Sequence, residues 1–315
     1  MERNNIPIKI RLGKIRLDSP VIPASGVFGY GDELKSLIDY NKIGAIVTKT
    51  LTIKEKKGNP QPRIWELENG LLNSIGLQNI GIERFVEKKF PVIKKLKKPI
   101  IVSIGGDTEE EILLCLQYIS KRIPYGLAGI ELNLSCPNIG KNNLISENAK
   151  DTYNIVKQAR KITSQFLIAK LSPNAGDVGE IGRAAQQAGA DALCAFNTFK
   201  GLSFDWEKQK VLLGGVSGNA IFPLSSRLVY QLYQNVSIPI IGVGGIHSGI
   251  TGLLMILCGA YIIGIGTSLM LNPQIPDEII EEIKKYIKEK NIKKWEEIVG
   301  FINDKKRENK LLSDI

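Results

Sequence analysis

Histidine occurs once in the 315 residues, at His247, and cysteine four times, at Cys115, Cys136, Cys194 and Cys258. The cysteines are widely separated, form no CxxC pair and have a single imidazole available, which argues against a zinc site and against a disulfide framework. No metal is therefore expected. With one histidine, proton transfer falls to Cys, Lys, Asp, Glu or Tyr. Uninterrupted apolar runs of the roughly 18 residues needed to cross a bilayer are absent. The opening MERNNIPIKIRLGKIRL is charged and alternating where a secretory signal would carry an apolar block. The expectation is a soluble, cytoplasmic protein without a membrane partner.

The chain does carry enough apolar residues, 43%, for one large barrel or two ordinary domains. Its formal charge of +10 raises the question of a nucleic-acid or acidic-protein partner. Much of that charge lies in ERFVEKKFPVIKKLKKP, from Glu83 to Pro99, and in the segment from Glu281 to Lys310, where Glu and Lys alternate at helical spacing. Such faces are ordinarily solvated, so no nucleic-acid partner is expected.

Eight short β-rich runs recur from Val21 onward: VIPASG, GAIVTKT, PIIVSIGG, GIELNLSCPN, FLIAKLSP, DALCAFNT, PIIGVGGI and YIIGIGTS. Segments of helical period separate most of them, among them TEEEILLCLQYISKR, ISENAKDTYNIVKQARKI and DVGEIGRAAQQAGA. Strands apolar on both faces that alternate with helices imply a buried parallel sheet. Eight of them predict a closed (β/α)₈ TIM barrel, α/β in class, over about 18–290 of a single 1–315 domain. An N-terminal hairpin within Ile6 to Leu17 is expected to cover the barrel bottom, and a helical tail is expected over about 276–315. Two connections, Leu51 to Ile80 and Lys200 to Gly218, exceed what a barrel needs and are read as functional loops.

In such a barrel the chemistry gathers at the C-terminal ends of the strands. The residues predicted there are Ser25, Lys49, Thr50, Ser103, Asn133, Cys136, Lys170, Asn197, Thr198, Gly244, Gly245, Gly266 and Thr267. Lysines ending apolar strands are costly to bury unpaired, which suggests an anionic or electron-rich ligand between them. Rim lysines reaching water are the alternative. Gly244-Gly245 after the seventh run and Gly266-Thr267 after the eighth stand where barrels often hold a phosphate, although tight turns without a ligand would also use glycine there. Cys115, Cys194 and Cys258 fall within helical or strand patterns and are assigned to the core. Cys136 follows a strand end, before Pro137 and near lysines that would favour its thiolate, and is the best candidate for a proton-transfer group.

Together IPASGVFGYG, VTKTLT, GNPQPRIWELENGLLNSIGLQNIGIERF, ELNLSCPN, KLSPN, FNT, PIIGVGGIHSG and GIGTS resemble the dihydroorotate dehydrogenases, flavin enzymes of pyrimidine biosynthesis, from about Asp18 to Leu269. The resemblance implies FMN across the top of the barrel, its phosphate at Gly244, Gly245, Gly266 and Thr267, with Ser25, Lys49, Thr50, Ser103, Asn133, Lys170, Phe196 and Gly218 around the remainder. Lys170 would lie near the N1/O2 edge of the flavin. Asn73, Ser74, Ile75, Gly76 and Leu77, with Lys49, Asn133, Asn197 and Thr198, would hold dihydroorotate or orotate. Cys136 would be the base that removes the C5 proton while hydride leaves C6.

A cysteine base sorts the chain into the cytosolic class 1 enzymes, because the membrane-bound quinone-linked members carry serine there. The wording of the loop GNPQPRIWELENGLLNSIGLQN is closer to the NAD-linked class 1B catalytic subunit than to the fumarate-linked class 1A homodimer. The class implies a homodimeric core joined in a heterotetramer to a partner subunit carrying FAD and a 2Fe-2S centre. Two other readings stay open at this level: a tRNA dihydrouridine synthase-like FMN enzyme, and a non-catalytic flavin-binding scaffold subunit.

Overall fold

The computed structural model describes residues 10–134 and 145–303. Along the chain come a hairpin of β1 (Ile10–Leu12) and β2 (Ile15–Leu17), then β3 (Val21–Pro23) and β4 (Ile46–Val47). An excursion forms β5 (Ile64–Leu67) and β6 (Gly70–Asn73). The run resumes with β7 (Ile100–Ile104), β8 (Gly129–Asn133), β9 (Leu167–Lys170) and β10 (Ala192–Ala195). A second excursion forms β11 (Phe199–Asp205) and β12 (Lys210–Ser217), followed by β13 (Ile240–Val243) and β14 (Ile262–Ile265).

Eight of these strands lie in the order β3-β14-β13-β10-β9-β8-β7-β4. All their pairings are parallel, as the rule for strands joined through helices requires. The ring closes between its two ends through the Gly44 N–H donated to the Val21 carbonyl, 2.8 Å. The predicted eight runs thus become the eight staves of a (β/α)₈ barrel. Their residues are buried throughout, as sequences such as IIVSI and IIGV on a sheet covered on both faces demand.

The connecting helices start where their caps permit. Thr108, Asn148 and Asp177 each accept the backbone N–H three residues on, at the starts of Glu109–Arg122, Ala149–Ile162 and Val178–Gln187. Ser248 and Thr251 make a reciprocal capping box for Gly249–Leu257. Below the barrel, Ile10, Leu12, Ile15 and Leu17 of the hairpin are buried in the main core, and Gly13 abuts Phe166 at the entry to β9. The hairpin therefore covers the N-terminal end of the strands, as expected.

The two long connections are ordered: they pair into a four-stranded antiparallel sheet, β11-β12-β6-β5, joined across excursions by β12 and β6. Among the described residues, the tail expected as helix is continuous α-helix only through Glu289. Helix Ile275–Glu289 packs its Ile279 and Ile283 inward, but beyond it the chain makes only the 3₁₀ turns Trp295–Glu297 and Phe301–Asn303 among the described residues. Trp295 Nε1 donates to the Tyr261 carbonyl and Asn303 Nδ2 to that of Cys258, so contacts with the barrel replace continued helix. No helix among the described residues is long and apolar enough to cross a membrane.

Candidate active site

The C-terminal ends of the strands open into a cavity of about 570 Å³, within the range of roughly 300–1,000 Å³ that holds cofactors and small ligands. The four-stranded sheet forms one wall through residues such as Ile64, Leu71 and Leu213. The structure brings to this cavity Ser25, Lys49, Thr50, Asn133, Lys170, Phe196, Asn197, Thr198, Gly218, Gly244, Gly245, Gly266 and Thr267, and the whole stretch Asn73 to Leu77.

One predicted residue stands elsewhere. Ser103 is fully buried and lies one layer below the cavity floor, where its hydroxyl meets Thr50 Oγ1 at 3.1 Å and donates to Glu131 Oε1 at 2.8 Å. Cys136 lies outside the described residues. The two ends of the segment that contains it are tied together, because the Leu134 carbonyl accepts both the Ser146 N–H, 3.2 Å, and the Ser146 hydroxyl, 2.8 Å.

Hydroxyls and amides on neighbouring strand ends form a connected floor. Ser25 Oγ lies 3.2 Å from Thr50 Oγ1 and donates to the Thr48 carbonyl, while Asn133 Nδ2 donates to Thr50 Oγ1 at 3.1 Å. Lys49 is largely enclosed, and burial first, then the nearby Arg63 charge, lowers its pKa, with Glu33 opposing. An enclosed ammonium of this kind has most to gain from an anionic ligand.

The loop that supplies Asn73 to Leu77 is held in shape by its own polar groups. Asn59 Nδ2 donates to the Ser74 carbonyl and to Ser74 Oγ, both at 2.9 Å, and Asn73 Nδ2 donates to the Gly215 carbonyl of β12 at 2.9 Å. Buried Asn79 accepts from Thr52 N and Gly81 N and donates to Thr52 Oγ1 and the Leu77 carbonyl. That bracing holds Leu77 at a φ of 52°, a left-handed conformation uncommon for a non-glycine residue.

The glycines at the opposite end divide into two kinds. A Cβ on Gly245 would sit 2.4 Å from the Phe222 nitrogen, and one on Gly244 2.2 Å from Ser225 Oγ, so close packing on helix Phe222–Tyr233 already requires both. Gly266 is different: a Cβ there would meet no protein atom within 4 Å, and the space beside it is the cavity. The open cradle at Gly266, at the end of the eighth barrel strand, fits a ligand that approaches the backbone closely. Thr267 Oγ1 borders the same place and donates to Ser217 Oγ at 2.9 Å. An anion cradle, an apolar wall and an amide-lined end holding two lysines together suit a flavin nucleotide with a small carboxylated substrate.

The remaining cysteines behave as core residues. Burial alone raises the Cys115 and Cys258 thiols, the latter to about 11, and burial raises Cys194 well above its ordinary value. His247 is exposed, with Nδ1 2.7 Å from the Gly245 carbonyl, and sits in a loop as expected. Sequence reading missed Asn174, Lys200 and Ser217 in the cavity wall and Glu131 below it. Asn174 stood in the quoted KLSPN and Lys200 two residues after FNT, so position near a motif was the available signal. No cluster of three or more His, Cys, Asp or Glu side chains able to hold a metal occurs among the described residues.

Comparison with known proteins agrees with this geometry. The family profile described as dihydroorotate dehydrogenase matches residues 8–287. A protein of Thermoanaerobacter sp. (strain X514), named dihydroorotate dehydrogenase B (NAD(+)), catalytic subunit, is 41% identical over 301 residues, spanning 94% of this chain and 98% of the relative. A protein of the same name from Geobacter metallireducens is 40% identical over 300 residues, again with 94% and 98% covered. The crystal structure of a dihydroorotate dehydrogenase from Eimeria tenella in complex with ferulenol superposes with a TM-score of 0.80 at 20% identity, over 96% of this chain and 90% of that one, a likeness of fold. With the motifs gathered on one cavity and matches running over nearly its whole length, the chain belongs to the dihydroorotate dehydrogenase family.

Proposed function

We propose that this chain oxidises dihydroorotate to orotate in pyrimidine biosynthesis, as the FMN-binding catalytic subunit of an NAD-linked enzyme. The observation that carries the reading is the convergence of Lys49, Asn73, Asn133, Lys170 and Asn197 on a cavity whose other end is the glycine cradle. When bound, FMN would supply the acceptor for the hydride that leaves C6 of the substrate. Gly244, Gly245, Gly266 and Thr267 would hold its phosphate, and Ser25, Lys49, Thr50, Asn133, Lys170, Phe196 and Gly218 would surround the rest, with Ser103 bracing Thr50 from below.

Lys170 would favour negative charge at the flavin edge it faces. Lys49 would take the substrate carboxylate, and Asn73, Asn133 and Asn197 would satisfy the ring amides, with Ser74 to Leu77 and Thr198 enclosing them. These contacts fix the substrate so that its two hydrogens leave toward different partners, which makes positioning a large part of the rate. Cys136 would take the C5 proton. Membership of the dehydrogenase family weighs against the tRNA-modifying and scaffold readings.

An anaerobic absorbance spectrum before and after addition of dihydroorotate tests the reading. Bleaching of a bound flavin is expected, whereas a flavin that stays oxidised would remove the assigned substrate. For the acceptor, the relatives' names, which specify NAD(+) and a catalytic subunit, support an NAD-linked assembly with a separate subunit; that subunit would carry FAD and a 2Fe-2S centre and join a homodimeric core of this chain. The isolated chain should then reduce artificial acceptors but not NAD, and gain NAD reduction when that subunit is added. Turnover with fumarate by the chain alone would instead indicate the class 1A homodimer.

Lys49 gives a pH prediction. The protonated ammonium is the form that attracts a carboxylate, and burial lowers the pH at which it loses its proton. Orotate affinity should therefore weaken as pH rises, beginning below the ~10.4 of an ordinary lysine. Arg63→Met, which removes the second cause of the shift, should move that limb to higher pH in calorimetric titrations with orotate.

A further inference from the structure

Among the described residues, Glu131 is the one buried carboxylate and Lys170 the one buried lysine. They lie on adjacent barrel strands, with Asn133 of β8 opposite Lys170 of β9, and Lys170 Nζ stands 3.9 Å from Glu131 Oε1. The side chains are 4% and 6% exposed. Lys170 borders the cavity, whereas Glu131 does not and sits beneath it.

The carboxylate is also held by neutral donors. Ser103 Oγ donates to Oε1 at 2.8 Å, and the Cys194 thiol hydrogen-bonds to the same side chain, kept protonated by its burial. Through Ser103 the network continues to Thr50 and from there to Ser25 and Asn133 on the floor. A buried acid is costly to desolvate, and one placed inside the barrel calls for a partner whose charge it balances. The low polarity of that interior makes such a charge felt strongly by its neighbours.

We infer that Glu131 is a positioning residue of the redox site, fixing the Lys170 ammonium at the cavity floor and partly neutralising it, so that it limits how strongly Lys170 favours reduction of the flavin above. The inference rests on the proposed binding of FMN over Lys170. Negative charge arriving on a reduced flavin is attracted by Lys170, and Glu131 weakens that attraction by drawing the ammonium toward itself from beneath. Removing the carboxylate charge while keeping its shape therefore makes the flavin easier to reduce, provided that Lys170 transmits the effect.

The test is an equilibrium titration of the bound flavin against a reference dye of known potential, with FMN content measured on the same samples. In Glu131→Gln holoprotein the constant for flavin reduction should rise tenfold or more, about 30 mV per tenfold for a two-electron couple. The same change made in a Lys170→Gln background should move it less than twofold. FMN bound with an unchanged constant in Glu131→Gln overturns the inference and leaves the flavin reading standing. An equal rise without Lys170 overturns it too, since the coupling would then bypass the lysine. Wild-type protein that holds no FMN would overturn the flavin reading itself, before any variant is compared. Should Glu131→Gln not fold, Glu131→Asp withdraws the carboxylate by one methylene and should raise the constant twofold or more, and no rise would overturn the inference.

Discussion

Replacing Cys136 by serine is expected to slow reduction of the bound flavin by dihydroorotate about 10²–10⁴-fold at neutral pH, the usual contribution of a general base, with FMN content unchanged. A thiol titrates near 8.5 and yields useful thiolate at physiological pH, whereas a serine hydroxyl does not. The other cysteines cannot take over, because Cys115, Cys194 and Cys258 are buried with raised thiol pKa values. Lys49 is the rival base in the cavity, since burial and Arg63 make it easier to deprotonate. Anaerobic stopped-flow reduction separates the two: a Cys136→Ser rate within about threefold of wild type would shift the role to Lys49. Loss of FMN would mean that Cys136 serves the structure.

Alanine at Gly245 and at Gly266 should produce opposite failures. At Gly245, a φ of 71° and a Cβ 2.4 Å from the Phe222 nitrogen combine left-handed strain with overpacking against backbone that cannot turn aside. The summed cost is about 2–5 kcal/mol of stability in the apoprotein, read by urea unfolding. At Gly266 the added methyl meets no protein atom within 4 Å, so the overpacking cost is absent and apoprotein stability should fall by less than at Gly245. The methyl would instead occupy the cradle, and FMN affinity should fall at least tenfold by fluorescence titration, about 1.4 kcal/mol. Unaltered FMN affinity in Gly266→Ala would place the phosphate elsewhere.

Much of the architecture was legible because its determinants are local. Strands buried on both faces read as short apolar runs whatever they pair with, and the helices between them announced themselves by period and by caps such as Thr108 and Asp177. The site was legible for a related reason: each strand of a (β/α)₈ barrel ends on the same face, so a polar residue after an apolar run is placed by connectivity alone. Lys49, Asn133, Lys170 and Gly266 were found in this way and all border the cavity.

The residues that escaped depend on depth or on distant pairing. Ser103 stands one residue before the end of its strand, whereas Asn133 and Lys170 end theirs, and so it lies a layer lower, against Glu131. Glu131 looked like one polar interruption in ELNLSCPN, and only the neighbouring strands reveal Lys170 and Cys194 beside it. The two excursions form a single sheet because Asn73 meets Gly215 across 142 residues, a pairing without local signature. By itself the sequence determined the eightfold alternation, the face that carries the chemistry and the residue types delivered to it, since period, capping and strand-end position are written in neighbouring residues. Tertiary structure alone decided which of those side chains reach the cavity, which lie beneath it and what walls it in, because barrel stagger and long-range strand pairing are properties of the closed ring rather than of any one segment.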